Sequence, residues 1–194
     1  MKRLIAITGG IGSGKSVVCR ILRILGYPVY DCDSRAKALM DADEAIKKRL
    51  VKEIDELAVV DGIIDRKLIA SVVFADSTKL AVLNSIVHSA VKEDIALWVA
   101  AQETDLTFVE TAILYESGLN LMVDAEWRVE SPLELRIERT MKRSGLSREE
   151  VKSRIAAQKT EAPDSAPPLR LFTIGNDEIH ALLPQIEELT GTII

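Results

Sequence analysis

Cysteine is scarce in this 194-residue chain, and neither Cys19 nor Cys32 stands at a metal-type spacing. A reducing cytoplasm is therefore the expected setting. Histidine is as rare, and His88 has no second histidine or cysteine nearby to complete a metal site. No stretch approaches the roughly 18 apolar residues that a membrane span requires. The apolar run after Met1-Lys2-Arg3 is too short for a signal peptide. The net charge of −5 lacks the basic excess of a nucleic-acid surface. Repeats and low-complexity tracts are missing as well. The expectation is a soluble cytoplasmic protein, with neither nucleic acid nor membrane as partner. Its hydrophobic fraction of 47 % suffices for one domain that carries an inserted or hinged lobe.

Against these absences stands one dense motif. Gly9-Gly10-Ile11-Gly12-Ser13-Gly14-Lys15-Ser16 matches G-x-x-x-x-G-K-[ST], directly after the apolar run Leu4-Ile5-Ala6-Ile7. The pattern dictates a phosphate site: glycines let backbone N–H groups wrap phosphate oxygens, Lys15 reaches the β- and γ-phosphates, and the Ser16 hydroxyl ligates Mg²⁺. Helical spacing follows from Val17 to Leu25 and stops at Gly26.

Strand-length apolar runs alternate with helical patterns along the chain, which predicts an α/β fold with a central parallel sheet. The expected strands are Leu4–Thr8, Pro28–Tyr30, Thr107–Glu110, Trp127–Glu130 and Leu171–Ile174. Residues 34–103 are mostly helical, with one apolar stripe through Leu80, Leu83, Val87, Val91, Ile95 and Trp98. This stretch is too long for a simple crossover and reads as an inserted helical lobe. Capping boxes at Ser131-Pro132-Leu133-Glu134 and Ser147-Arg148-Glu149-Glu150 predict a helical hairpin over 132–158. A proline-rich connector, Ala162 to Pro168, follows it.

Acidic residues just past strand ends are the first candidates for chemistry beside a phosphate loop. Asp31-Cys32-Asp33 qualifies. Either carboxylate can accept a proton from an attacking hydroxyl, or simply cap the helix beginning near Ser34. Asp31 can also contact a magnesium-bound water. Glu110 ends the third strand, as a magnesium-supporting group or an ordinary exposed side chain. The hairpin carries Arg136, Arg139, Arg143, Arg148 and Arg154, which suit either a lid over ATP or a solvated face paired with glutamates. Arg143, beside the glycine turn, and Arg139, one helical turn earlier, are the candidates for phosphate contact.

With these residues in view, the chain resembles the dephospho-coenzyme A kinase family nearly end to end. Thr8 to Ser16 is similar to that family's loop, and Asp31-Cys32-Asp33 with Arg35-Ala36 to its acidic substrate motif. Asp61 to Arg66, Val73-Phe74 and Leu83 to His88 resemble its helical lobe. Ala112-Ile113-Leu114-Tyr115-Glu116 is similar to its Pro-Leu-Leu-Phe-Glu element. Arg139 to Arg143 and Arg154 to Gln158 resemble its lid. Ala112 and Ser89 depart from the family's prolines, and Gly175 stands where an Ile-Asp-Asn element is common.

The resemblance implies a phosphate-loop, nucleotide-kinase-like fold: a core of 1–33, 104–131 and 169–194, a substrate lobe of about 34–103 and a lid of about 132–168. It implies ATP- and Mg²⁺-dependent phosphorylation of the ribose 3′-hydroxyl of dephospho-coenzyme A by a monomer or small homo-oligomer. Asp33 would be the base, aided by Lys15 and Arg143. Gly10, Ile11, Gly12, Ser13, Gly14, Lys15, Ser16, Val17, Arg139 and Asn176 would hold ATP, with Ser16 on the metal. Asp33, Arg66, His88 and Glu116 would meet the acceptor. A nucleoside or nucleotide kinase of similar architecture is the alternative. The Asn-Lys-x-Asp and Asp-x-x-Gly motifs of a GTP switch are absent.

Overall fold

The computed structural model describes residues 2–158 and 161–193. Strand β1 (Arg3–Thr8) runs into the glycine loop and helix α1 (Lys15–Ile24), and β2 (Val29–Asp31) follows. Four helices come next: α2 (Cys32–Ala42), α3 (Glu44–Glu53), α4 (Arg66–Ala75) and α5 (Ser77–Ala101), with the short strands β3 (Val59–Val60) and β4 (Ile63–Ile64) between α3 and α4. The chain continues through β5 (Leu106–Glu110), β6 (Ala125–Glu130), α6 (Leu133–Ser144), α7 (Arg148–Ala157), β7 (Arg170–Gly175) and α8 (Leu182–Ile193). The five-stranded sheet has the order β2-β5-β1-β6-β7. β1 pairs in parallel with β5 and β6, and β6 with β7. All five expected strands form, within one or two residues of their expected ends.

Residues group into two compact units, Met1–Tyr30 with Gln102–Ile194, and Asp31–Ala101. The first has its core between sheet and helices, where Ile5, Ile7, Phe108, Trp127 and Ile174 meet Val18, Leu22 and Ile186. The Phe108 and Trp127 rings lie 5.0 Å apart between centroids, and Tyr27 meets Phe108 edge-on at 5.6 Å. Strands buried on both faces explain the near-continuous apolar runs of β1 and β5.

The second unit closes around Ile46, Leu50, Ile54, Ile64, Ile69 and Ile86. Aspartates start three of its helices: Asp43, Asp65 and Asp76 each accept hydrogen bonds from two first-turn backbone N–H groups. Arg35 forks onto Asp94 with bonds of 2.9 and 2.7 Å, tying α2 to α5, on which Trp98 lies half-buried. The stripe expected along α5 holds at Leu83, Val91 and Ile95 but not along its whole length. Leu80 is 40 % exposed, whereas Ile86, off that stripe, is 1 % exposed and packs with Val82, Leu83 and Ala90.

In the helical hairpin, Gly145 closes α6 with φ 69° and Ser147 opens α7 with the expected reciprocal capping box. The box expected at Ser131 does not form. Helix α6 begins at Leu133 with Pro132 as its cap, and Ser131 Oγ instead accepts from Arg139 Nη1 at 3.0 Å. Among the described residues, no helix is long and apolar enough to cross a membrane.

Candidate active site

The glycine loop joins the buried end of β1 to α1, and its shape depends on residues without side chains. Gly12 and Gly14 take φ of 77° and 97°, a left-handed region that other residues enter at a cost. Space is equally decisive: a Cβ on Gly12 would lie 2.3 Å from the Arg136 carbonyl oxygen, and one on Gly14 2.0 Å from Asn176 Nδ2. Gly14 caps α1 without a side-chain bond. Among the described residues, the N–H groups of Gly12, Gly14 and Ser16 make no hydrogen bond. They sit at a helix N-terminus, where backbone dipoles favour an anion. Lys15 Nζ donates to the carbonyls of Gly9 at 2.7 Å and Gly10 at 3.3 Å. Val17 N–H donates to the Gly14 carbonyl at 2.9 Å.

Two oxygen groups meet beside Lys15. Ser16 Oγ donates to Glu110 Oε1 at 2.8 Å, bringing the end of β5 to the first turn of α1. A hydroxyl and a carboxylate side by side are hard oxygen donors of the kind Mg²⁺ takes.

On its other side the loop is gripped by three elements. Asn176, just after β7, donates from Nδ2 to the Ser13 carbonyl at 2.8 Å, and its own carbonyl accepts from Arg139 Nη1 at 3.2 Å. Arg139 also pairs with Glu178 at 2.9 Å. Arg136 Nε donates to the Ile11 carbonyl at 2.9 Å, while the Ile11 N–H donates to Gln158 Oε1 at 2.7 Å. A cleft of about 230 Å³ lies here, bordered by Gly9, Gly10, Ser13, Arg128, Glu130 and Arg136. Ser13 Oγ is buried and has no hydrogen-bond partner.

Below the loop lies a polar cluster that sequence reasoning missed. Glu126, 1 % exposed, accepts from Thr8 Oγ1 at 2.5 Å, Tyr115 OH at 2.6 Å and Arg128 Nε at 3.0 Å. Burial, then the Glu126 carboxylate, push the Tyr115 hydroxyl up to about 12. Burial works to lower the Arg128 pKa, but the bond and charge of Glu126 outweigh it and leave the guanidinium raised. Glu126 and Arg128 stand two apart on β6, so they share one face while Trp127 and Val129 take the other. That alternation of charge in a central strand was the available signal.

A sequence model of the dephospho-CoA kinase family matches residues 3–166. The chain belongs to the dephospho-CoA kinase family. The dephospho-CoA kinase of Porphyromonas gingivalis is 41 % identical over 189 residues, spanning 97 % of this chain and 93 % of that protein. That of Bacteroides fragilis strain YCH46 is 40 % identical, over 95 % of this chain and 90 % of its own length. A Thermus thermophilus crystal structure superposes with a TM-score of 0.76 at 35 % identity, covering 99 % of this chain and 96 % of that one.

Within this dephospho-CoA kinase family member, Asp31 is the cap of α2: its two carboxylate oxygens accept from Ser34 N–H at 3.1 Å and Ser34 Oγ at 2.8 Å. Asp33, in the first turn, is exposed, and its carboxylate makes no hydrogen bond or ion pair among the described residues. Arg66 opens α4 and pairs with Asp41 of α2 at 2.7 Å, with both side chains well exposed. His88 is half-buried on α5, and Glu116 is exposed in the turns after β5. Arg143 is exposed in the last turn of α6. Arg136, read from sequence as one of several hairpin arginines, is the one on the glycine loop, and burial lowers its pKa.

Proposed function

We propose that this chain moves the γ-phosphoryl group of ATP to the ribose 3′-hydroxyl of dephospho-coenzyme A, releasing ADP and coenzyme A. The observation that carries the reading is the set of unbonded N–H groups at Gly12, Gly14 and Ser16 around Lys15, at the start of α1. These amides and the Lys15 ammonium bind phosphate oxygens of the donor, and Ser13 and Val17 complete the cradle. In the transfer, the acceptor oxygen bonds to the γ-phosphorus as the bond to the β–γ bridging oxygen breaks, and Asp33 takes the hydroxyl proton. The exposed, unbonded carboxylate of Asp33 suits a base, since no partner competes for its oxygens.

Ser16 and Glu110 would hold Mg²⁺, which supplies charge neutralisation along the triphosphate. Arg139 and Asn176, bonded to each other behind the loop, bind ATP, and Arg143 closes from the hairpin to exclude water. Arg66, His88 and Glu116 contact dephospho-coenzyme A. We place the protein in the cytoplasm as a monomer or small homo-oligomer.

ADP release from Mg·ATP should require dephospho-coenzyme A, with the product carrying a new 3′-phosphate, while nucleosides and nucleoside monophosphates stay idle. Lys15→Ala should abolish ATP binding in calorimetry and turnover with it. Equal turnover on a nucleoside would replace this acceptor.

A further inference from the structure

Ile11, at the tip of the glycine loop, has both of its backbone polar groups taken by side chains of the helical hairpin. Arg136 of α6 donates to its carbonyl at 2.9 Å, and Gln158, which caps the end of α7, accepts from its N–H at 2.7 Å. The partners lie 125 and 147 residues away along the chain. Ile11 is only partly buried, and water would satisfy both groups there without any side chain. Satisfying a polar group is therefore not what these two contacts accomplish. They fix where the group is.

The surroundings agree. A Cβ on Gly10 would come within 2.1 Å of an Arg136 Nη nitrogen, and a Cβ on Gly12 within 2.3 Å of the Arg136 carbonyl oxygen, so α6 rests on both neighbours of Ile11. The Arg136 guanidinium has no carboxylate partner among the described residues. A loop with three positive-φ glycines among its first six residues has unusual freedom to lose on binding a ligand. Holding its tip beforehand removes part of that cost.

We infer that Arg136 and Gln158 are positioning residues for ATP: they clasp the Ile11 peptide groups from two helices and set the register of the loop amides that receive the phosphates. The inference rests on the glycine loop being the ATP site. It also gives the Ile11 N–H to the hairpin rather than to a phosphate, so Ile11 serves the nucleotide through loop shape.

Calorimetry with Mg·ATP on the full chain tests the clasp. Arg136→Gln should weaken ATP binding about tenfold to a hundredfold, the loss expected when a bond from a charged donor is removed. Arg136→Lys should recover part of it, and Gln158→Ala should cost about threefold to tenfold. Because both side chains hold one residue, the double variant should lose clearly less than the product of the single losses. The KM for dephospho-coenzyme A should stay within about twofold, and nucleotide-free melting temperature should hold within a few degrees, about the effect of 1 kcal/mol or less.

Unchanged ATP affinity in both Arg136→Gln and Gln158→Ala overturns the clasp, as does an equal rise in both KM values with a lowered melting temperature. If Arg136→Gln does not fold, Gln158→Ala decides alone. Lys15→Ala separates the two readings. Loss of binding there, with intact binding in the clasp variants, sinks only the clasp; a parent chain indifferent to Mg·ATP sinks both.

Discussion

Asp31 and Asp33 stand one residue apart, yet their surroundings give them different chemistry. Asp31 spends both carboxylate oxygens on Ser34 as the cap of α2, whereas Asp33 points its carboxylate at no described group. Either could cap a helix near Ser34 on the residues alone, and only the family resemblance singled out Asp33; which one caps depends on where α2 begins, and helix ends are poorly legible. Asp33→Asn should leave Mg·ATP binding within about twofold while lowering kcat by about 10²- to 10⁴-fold; near-parental turnover would remove the base. Tyr115 offers a second residue-level test. Its folded pKa of about 12 lies above the ordinary 10.0, so its contribution to stability is complete below pH 10 and disappears as pH climbs through 12. Urea midpoints of Tyr115→Phe should therefore fall less steeply than the parent's between pH 10 and 12. A parallel course for the two proteins would show that Glu126 does not hold the hydroxyl.

Local chemistry made the helical hairpin legible and then misplaced one of its ends. Ser147-x-x-Glu150 forms a reciprocal box, and Gly145 supplies the left-handed closure of α6 that its position suggests. Ser131-x-x-Glu134 has the same spelling, but α6 starts one residue later and Ser131 turns to Arg139. The two serines should thus respond differently. Ser147→Ala should lower stability by about 1 kcal/mol in denaturant melts with ATP affinity kept. Ser131→Ala should cost little stability and weaken ATP binding through Arg139; the reverse pattern would contradict both assignments. The β3–β4 hairpin escaped the sequence reading because its strands are two residues long, below any periodicity, although Asp61-Gly62 at φ 51° and 76° is a favoured turn pair. Helix α5 was legible only in part, for the opposite reason. Its apolar residues are so frequent that a stripe can be drawn through several faces.

Across the molecule, each of the two compact units carries a hydrophobic cluster of its own. Leu50, fully buried among Ile46, Ile69 and Ile86, anchors the smaller one. Leu50→Ala should therefore cost about 2–5 kcal/mol of stability. Chemical denaturation followed with and without Mg·ATP would check it, and a cost below about 1 kcal/mol would mean that the cluster is not a core. At this scale, the order of strands and helices was readable from alternating apolar runs, and the glycine loop from its spelling. The roles of Arg136 and Gln158 were not, because their meaning lies in contacts spanning more than a hundred residues for which a single chain carries no local sign. The distribution of tryptophan has a practical use: Trp127 lies wholly buried in one unit and Trp98 belongs to the other, and the chain has no third. Replacing either with phenylalanine leaves a single indole whose fluorescence reports on its own half of the enzyme. Label-free stopped-flow traces could then follow each unit on its own as Mg·ATP or dephospho-coenzyme A is added.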